Sequence, residues 1–300
     1  MATFRIVSLG DSIIWGQGLL PDEKFDKLVQ QALLPGNPDG VTLESLAHSG
    51  AVIGATGATG TPQVGEVPGS RLSVIEQCDS YINSPETVDL LLLDGGINDV
   101  GVASILNPFA LIPHLDARVA HACHDGMLVL LKKVTAKFTK PTCRILVTGY
   151  YAILSPQSDP VGVLRLLSLF GIAVPAFLDR DIDFINPVLG RCATFYRDSN
   201  QQLAQAVADA GDPRIRFVPS GFTDANSVFV SGTSLLWGLD LDDGLAPQDP
   251  AAADRRPLCD AAHRDPLQIP ERELCYRASA GHPNVQGAIQ FSKQILAAIP

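Results

Sequence analysis

Three short motifs carry side chains of the types that nucleophilic catalysis uses. A hydroxyl comes from Gly10-Asp11-Ser12, a side-chain amide from Gly95-Gly96-Ile97-Asn98-Asp99 and an imidazole from His282-Pro283-Asn284. A serine hydroxyl becomes a nucleophile when a neighbouring base accepts its proton, and amide N–H groups stabilise the negative charge that then develops. Because these motifs are far apart in the chain, only the fold can bring their chemistry together.

The elements that must position these motifs alternate between strand and helix. Short β-branched or leucine-rich runs predict strands at Phe4–Leu9, Val41–Leu46, Val88–Leu93, Arg144–Thr148 and Ile215–Val218. Helical periodicity lies between and after them, at Asp22–Leu33, Arg71–Ile82, Pro113–Phe138, Asn186–Ala210 and Val285–Ile299. The alternation predicts an α/β fold, which we expect to be a flavodoxin-like three-layer sandwich with a central, mostly parallel five-stranded sheet flanked by helices.

Each motif falls at the edge of the predicted sheet where ligands bind. Ser12 directly follows the first strand, Asn98 follows the third strand, and His282 opens the last helix. In open α/β sheets the crevice beyond the carboxyl ends of the strands is the usual binding site. The three side chains are therefore expected to meet in this crevice.

Composition narrows the class of protein without indicating its chemistry. The chain has 300 residues, of which 46% are hydrophobic and 18% charged, which allows one large domain or two small ones. The formal net charge of −10 argues against a general nucleic-acid partner or an anionic-membrane binder. The longest apolar stretch, Val161–Leu178, contains Arg165 and Pro175, so we expect no stable membrane span.

The motifs, taken together, resemble those of the GDSL, or SGNH, hydrolases, a family of esterases and lipases. Gly10-Asp11-Ser12, Gly50 after the second strand, Gly96-Ile97-Asn98-Asp99 and His282 stand in the family's order and span nearly the whole chain. Because these residues must meet in one cleft, residues 1–300 are expected to form a single domain. Loop insertions are expected at about 150–183 and 221–279.

The resemblance implies a role for each matching residue. Ser12 would be the nucleophile, and His282 would be the general base that later protonates the leaving alcohol. The oxyanion hole would consist of the backbone amides of Ser12 and Gly50 and the side-chain amide of Asn98. A glycine at position 50 suits this role, because its backbone can approach the substrate closely.

One position departs from the family's pattern. The family usually places an Asp three residues before the catalytic histidine, and here that position is Ser279. Some members use a backbone carbonyl at that position instead, so we hypothesise that the Ser279 carbonyl accepts the Nδ1–H of His282, giving a Ser–His dyad. A carboxylate from the preceding loop, such as Asp260, is the alternative.

Each motif also has an ordinary structural explanation. Ser12 could merely cap the first helix, Asn98 and Asp99 could form a turn, and His282 could lie in a surface loop. Their joint occurrence at strand ends favours a catalytic site. Without the usual Asp, a non-catalytic lipid- or carbohydrate-binding relative of the fold stays an alternative, as does an acyltransferase or a polysaccharide deacetylase.

Other catalytic and binding templates are absent from the sequence. No serine lies in a G-x-S-x-G elbow, and no phosphate-binding G-x-x-x-x-G-K-[ST] or G-x-G-x-x-G pattern follows the first strand. No H-E-x-x-H pair occurs, and Asp240–Gly244 lacks the Glu that completes a calcium loop. We therefore expect no cofactor and no metal.

The six cysteines leave the compartment open. They include no C-x-x-C pair, and they could form three disulfides in a secreted protein or remain six core thiols in a cytoplasmic one. Cys259 and Cys275 flank a polar loop that a disulfide would stabilise. The N-terminus lacks the basic region and apolar run of a secretory signal, so any signal would lie upstream.

The apolar insertion at 161–178 is the best indication of substrate. It could be a helix packed on the domain, or a lid or acyl-binding wall beside the cleft. Trp15, shortly after the nucleophile turn, could line the same pocket. These features favour a small-molecule or lipid ester with an apolar acyl chain as the partner, bound by a protein that we expect to be a monomer.

Overall fold

A central sheet of five parallel strands organises the molecule. It is seen in a computed structural model that describes residues 3–54, 65–69, 72–109, 111–172 and 182–299. The strands are β1 (Phe4–Leu9), β2 (Val41–Ser45), β3 (Leu90–Leu93), β4 (Arg144–Thr148) and β5 (Ile215–Val218). Their order is β2-β1-β3-β4-β5, and every neighbouring pair is parallel. The predicted α/β fold is confirmed.

The strand order reverses between β1 and β3. The chain first adds β2 on one side of β1 and then crosses over to add β3 on the other side. A crevice opens at the carboxyl ends of the strands where such a reversal occurs. Ser12 follows β1 and Asn98 follows β3, so both residues lie at this switch point.

Helices flank the sheet on both faces. All four leucines of β3 are completely buried, and because successive side chains of a strand point to opposite faces, both faces of the sheet are covered. The helices are α1 (Ser12–Trp15), α2 (Phe25–Leu33), α3 (Val74–Ser80), α4 (Ile97–Val100), α5 (Val102–Leu106), α6 (Ile112–Val119), α7 (Met127–Lys137), α8 (Pro160–Leu169), α9 (Ile182–Ala210), α10 (Ala252–Ala262), α11 (Ile269–Tyr276) and α12 (Val285–Ala298).

The helix predicted at 113–138 is divided in the structure. A π-helical segment, Ala120–Gly126, separates α6 from α7. The segment places the buried Cys123 against Gly96, where an added Cβ would lie 2.8 Å from the Cys123 sulfur. The hydrophobic pattern runs through all three parts, so periodicity alone predicted one helix.

Both predicted insertions lie beside the sheet rather than within it. The first contains α8, and its residues 173–181 lie outside the described residues. The second contains a two-stranded antiparallel ribbon, β6 (Leu239–Asp240) and β7 (Ala246–Pro247), followed by α10 and α11. Among the described residues, no helix has both the length and the apolar character needed to cross a membrane.

The cysteines follow neither extreme that the sequence allowed. Cys259 in α10 and Cys275 in α11 form a disulfide. The other four, Cys78, Cys123, Cys143 and Cys192, are buried thiols. The disulfide therefore belongs to the second insertion, and the thiols belong to the body of the protein.

Candidate active site

The nucleophile turn connects β1 to α1. Ser12 begins α1, and the side chain of Asp11 caps this helix by accepting the backbone N–H of Ile13 at 2.9 Å. The helix has only four residues and ends at Gly16, whose φ of +70° favours glycine. A strand end and a capped helix thus hold the Ser12 hydroxyl beyond the sheet.

The buried carboxyl group of Asp94 supports this turn. Asp94, directly after β3, accepts the backbone N–H of Asp11 at 2.7 Å and that of Ile14 at 3.2 Å. Asp11 in turn accepts the hydroxyl of Tyr150 at 2.9 Å. Burial raises the pKa of both carboxyl groups, and Asp94 is affected most because it also faces the Asp11 carboxylate.

Gly10 is confined on two sides. The side-chain amide of Gln77 accepts its N–H at 2.8 Å and donates to its carbonyl at 3.0 Å. A Cβ added to Gly10 would lie 2.0 Å from Asp94 Oδ1. Because Gly10 has no side chain, the Asp94 carboxyl group has room to accept the two N–H groups of the turn.

The structure brings Ser12 and His282 into contact. The distance from Ser12 Oγ to His282 Nε2 is 2.7 Å, although 270 residues separate the two in the chain. Burial lowers the pKa of His282 to about 4, so the imidazole is neutral at neutral pH. A neutral imidazole can accept the serine proton, as a general base must.

The turn that carries His282 pairs with the second insertion. Trp237 donates its backbone N–H to the His282 carbonyl at 2.7 Å and accepts that of Gly281 at 2.9 Å. The Tyr151 hydroxyl donates to the Gly281 carbonyl at 3.0 Å. These three hydrogen bonds therefore hold the turn that carries His282 in place.

Ser279 lies beneath the imidazole. Its carbonyl accepts the backbone N–H of His282 at 2.9 Å. The carbonyls of Ser279 and Ala278 face the ring and favour its protonated form, but neither reaches Nδ1 with hydrogen-bond geometry. Asp260, the alternative carboxylate, binds the hydroxyl of Tyr276 instead.

The predicted oxyanion donors line the same cavity as Ser12 and His282. Gly50 has a φ of +86°, a conformation that favours glycine. Asn98 donates one side-chain N–H to the Ala51 carbonyl at 2.9 Å, which leaves its second N–H for a ligand. Asp99 accepts the backbone N–H of Ile53 at 2.9 Å, so it braces the loop that carries Gly50.

The cavity beside Ser12 has a volume of about 400 Å³ and largely apolar walls. Leu166, Leu169 and Phe170 of the first insertion form one wall, and Leu274 of α11 belongs to another. The described part of the apolar insertion thus lines the cleft, while its Val163 and Leu167 are buried in the hydrophobic core. Ligand pockets in proteins commonly have this size and character.

Trp15 is not brought to this cavity. Its ring lies 5.1 Å from that of His48, and the Lys24 ammonium lies 3.5 Å from its centroid. Neither it nor these neighbours are among the residues that line the cleft. Trp15, the last residue of α1, therefore packs against Lys24 at the start of α2 instead of lining the cleft.

Sequence reasoning missed several residues of the site. Asp94 stands directly after a predicted strand, so its place at the sheet edge could have been read from that position. Gln77 and Tyr150 have no comparable signal, nor do Asp249 and Arg255, which form a buried pair behind Ser279. No three histidine, cysteine or acidic side chains come together as metal ligands in the parts of the chain that the structure describes.

Comparison with known proteins identifies the fold. No model of a protein family matches the sequence, and no curated protein matches it either. Among solved structures, an extracellular lipase from Streptomyces rimosus is similar over 100% of both chains, with 16% identity and a TM-score of 0.56. Phospholipase A1 from Streptomyces albidoflavus NA297 is similar over 100% of both chains, with 15% identity and a TM-score of 0.57.

A third similar structure extends this group. The lipase Lip_vut3 from a goat rumen metagenome matches 99% of this chain and 98% of its own, with 14% identity and a TM-score of 0.52. The chain therefore has an esterase/lipase-type hydrolase fold. Its resemblance to the GDSL/SGNH hydrolases is confirmed at the level of the fold.

Proposed function

We propose that this protein is a serine esterase that hydrolyses carboxylic esters with an apolar acyl chain. The observation that carries the proposal is the 2.7 Å contact between Ser12 Oγ and His282 Nε2 at the mouth of an apolar cavity. The S. rimosus lipase and the S. albidoflavus phospholipase A1, which share the fold, support it.

In the proposed reaction His282 acts first as a base and then as an acid. Its Nε2 accepts the Ser12 proton while Oγ attacks the ester carbonyl carbon and forms a tetrahedral intermediate. The imidazolium then returns the proton to the leaving alcohol, and the acyl group stays on Ser12. Water, activated by the same imidazole, releases the acid and restores the serine.

Three N–H groups are proposed to stabilise the oxyanion. These are the backbone amides of Ser12 and Gly50 and the free side-chain N–H of Asn98. Each such donor is worth about 3–4 kcal/mol in a water-excluded site. The positive φ of Gly50 and the contact between Asn98 and Ala51 support this assignment, because both fix donors along the cavity wall.

A Ser–His dyad is proposed in place of a triad. The Ser279 carbonyl would hold the imidazole tautomer in which Nε2 accepts the serine proton. Its support is the position of the carbonyl, which faces the ring and favours its protonated form. A small rotation of the imidazole on substrate binding would complete the hydrogen bond, as catalytic contacts often tighten in the substrate complex.

The acyl group is proposed to occupy the cavity walled by α8. Leu166, Leu169 and Phe170 offer it a continuous apolar surface. Each methylene that leaves water contributes about 0.8 kcal/mol. Binding should therefore strengthen with chain length until the cavity is full.

Hydrolysis of nitrophenyl esters with short to long acyl chains tests the proposal. We expect the Ser12→Ala and His282→Ala variants to lower kcat by about 10⁴-fold or more, as removal of a nucleophile or its base does. Ser49→Ala is the matched control, because Ser49 is a second buried serine in the same cavity and should retain activity within about threefold.

Two outcomes would contradict the proposal in different ways. Turnover that does not depend on Ser12 at any chain length would favour the non-catalytic binding protein. A Ser12-dependent optimum at the acetyl ester would favour a deacetylase, because the apolar wall would then contribute nothing to substrate choice.

A further inference from the structure

A fully buried ion pair lies behind the turn that carries His282. Arg255 donates from Nη1 and Nη2 to the two carboxylate oxygens of Asp249 at 3.0 and 2.7 Å. Neither side chain has any exposed surface. Removing two charged side chains from water costs free energy, so a completely buried ion pair is a weak source of stability. Its contacts with neighbouring residues indicate what else it does.

The pair joins several separate segments of the chain. Arg255 also donates from Nε and Nη2 to the Tyr276 carbonyl at 3.2 and 3.0 Å, and its Nη1 lies 3.7 Å from Glu66. Arg255 lies in α10, while Tyr276 ends α11. The pair therefore closes the α10–α11 hairpin from inside, at the end opposite to its loop.

Ser279 connects this pair to the histidine. Its hydroxyl donates to the Asp249 carboxylate, while its carbonyl accepts the backbone N–H of His282 at 2.9 Å. The same residue is thus held by the ion pair through its side chain and holds the histidine turn through its main chain. Ser279 is completely buried, so no water competes for these bonds.

The loop that follows the nucleophile helix packs on the same unit. A Cβ added to Gly18 would lie 2.7 Å from the Ser279 Cβ and 3.0 Å from that of Asp249, and the φ of Gly18 is +88°. Glu66 accepts the Gly18 N–H at 2.7 Å while lying beside Arg255. Asp249, Arg255 and Ser279 therefore lie against both the loop that follows Ser12 and the turn that carries His282.

We infer that Asp249 and Arg255 are positioning residues that hold the His282 imidazole against Ser12 through the Ser279 hydroxyl. A carboxylate 30 residues before Ser279 in the chain thereby does indirectly what an Asp at position 279 would do by contact. The inference rests on the proposed role of His282 as general base.

The charges of the pair act on His282 in opposite directions. Asp249 favours the protonated imidazole, and Arg255 disfavours it, while burial is the largest cause of the lowered pKa of His282. The two charges of the intact pair therefore oppose each other at the ring that the pair positions. Removing one partner alone changes this balance, which supplies a readout that a purely structural role would not move.

The first test is the Ser279→Ala variant, assayed on a nitrophenyl ester. It keeps the carbonyl and the ion pair but removes the hydroxyl that joins them. We expect kcat to fall about 5- to 30-fold with KM unchanged, since misplacement of a catalytic group by about 1 Å costs up to about 100-fold. Asp260→Asn is the matched control, because Asp260 lies in the same hairpin and accepts the Tyr276 hydroxyl rather than that of Ser279, and kcat should stay within about twofold.

The second test is the Asp249→Asn variant, which removes the bidentate counter-charge of Arg255 and leaves Glu66, 3.7 Å from Nη1, as a more distant carboxylate. We expect a larger loss of kcat, about 100-fold, and an acid limb of kcat/KM displaced to lower pH, because the Asp249 charge that favours the imidazolium is lost while the Arg255 charge that disfavours it remains. If this variant does not fold, the Asp249→Asn/Arg255→Gln double variant removes both charges. It should lose kcat with the acid limb unchanged.

Failure of this inference is distinguishable from failure of the proposed function. Wild-type kcat in Ser279→Ala, in a protein whose Ser12→Ala variant is inactive, would overturn the inference and leave the esterase proposal standing. A Ser279→Ala loss as large as that of His282→Ala would also overturn it, because a positioning contact cannot matter as much as the base itself. Turnover independent of Ser12 would instead overturn the esterase proposal.

Discussion

Ser12 and His282 lie 2.7 Å apart, yet the two halves of the site that carry them differ in construction. Ser12 begins the helix that follows β1, an interior strand of the five-stranded sheet. Beneath it, Asp94 accepts two backbone N–H groups of the turn, and Gln77 makes two hydrogen bonds to Gly10. This nucleophile half is a product of the regular fold.

The histidine half is built from irregular chain. The turn that carries His282 pairs with residues 235–237, and the buried Asp249–Arg255 pair lies behind it. The disulfide between Cys259 and Cys275 joins the two helices of the adjoining hairpin. Side-chain bonds and one covalent cross-link replace the sheet as the support.

The difference shows that one catalytic contact can depend on two supports of different construction. Damage to the sheet edge should affect stability and activity together, because the same bonds hold the core and the nucleophile. Damage to the hairpin should affect activity first, because its buried Cys259 and Cys275 form a small cluster with Val67 that is separate from the main core. The following changes test that separation, beginning with the largest expected effect.

The Asn98→Ala variant tests the chemistry of the nucleophile half, because Asn98 is the proposed oxyanion donor that follows the neighbouring strand β3. Removing one oxyanion donor is expected to lower kcat about 100- to 1000-fold while KM stays nearly constant, because the bond forms only as charge develops. Steady-state kinetics on a nitrophenyl ester measure this effect. Asn83→Ala is the control, since that amide binds Glu44 at the surface. A rise in KM with normal kcat would show that Asn98 serves substrate binding alone.

The Gly10→Ala variant tests the support of the same half, namely the hydrogen bonds between the nucleophile turn and Asp94. The new Cβ would lie 2.0 Å from Asp94 Oδ1, so the carboxyl group must move away from the two N–H groups that it binds. We expect a loss of about 3 kcal/mol in the free energy of unfolding, measured by urea denaturation.

Gly190→Ala is the control for that substitution. Gly190 lies within α9, and an added Cβ would meet no atom within 4 Å. Alanine is the better helix former by about 1 kcal/mol, so this variant should be slightly more stable. Equal stability of the two variants would show that Asp94 does not confine Gly10.

Loss of the disulfide should affect the histidine half alone. Cross-linking a loop of this length lowers the entropy of the unfolded hairpin and so stabilises the folded hairpin by about 3 kcal/mol. We expect the Cys259→Ser/Cys275→Ser variant to lose activity at a lower temperature than the one at which its core unfolds. Activity and near-UV circular dichroism measured on one heating series would compare the two.

Reduction of the wild-type protein provides the companion experiment. A reductant should lower its activity but leave the double serine variant unchanged, because Cys78, Cys123, Cys143 and Cys192 are already thiols. Simultaneous loss of activity and core structure in the variant would show that the hairpin and the sheet unfold as one unit.

The pH dependence of kcat/KM tests how completely the histidine half is shielded from water, and it is the smallest of the expected effects. Activity requires the neutral imidazole, and burial lowers the pKa of His282 to about 4. Because the pKa is lowered, activity should rise through about pH 4 and be complete by about pH 6, instead of being half lost near pH 6.5. A midpoint near 6.5 would show that the histidine side of the site is open to water.

Much of the nucleophile half could be predicted from the sequence. The strands at Phe4–Leu9, Arg144–Thr148 and Ile215–Val218 have their predicted bounds. Local patterns suffice there because a buried parallel strand reads as a continuous apolar run, and the residue that follows it must lie at the sheet edge. The positions of Ser12 and Asn98 at this edge follow from that alone, whereas the strand order that makes the edge a switch point comes from the structure.

The supports of the histidine half could not be predicted in the same way. Asp249, Arg255 and Ser279 come from loops and short helices without a shared period, so nothing in their spacing indicates that they meet. The sequence suggested Asp260 as the nearby carboxylate, whereas the fold turns that side chain to Tyr276.

The sequence by itself determined the α/β fold, the strand ends that carry Ser12 and Asn98, and the candidate partnership of Ser12 with His282. Only the tertiary structure decided which carboxylate lies behind His282, which two cysteines pair, and that Trp15 lies against Lys24 and outside the cleft. The reason is physical: hydrophobic periodicity specifies which face of an element is buried, whereas contacts between irregular segments depend on how the whole chain closes around them.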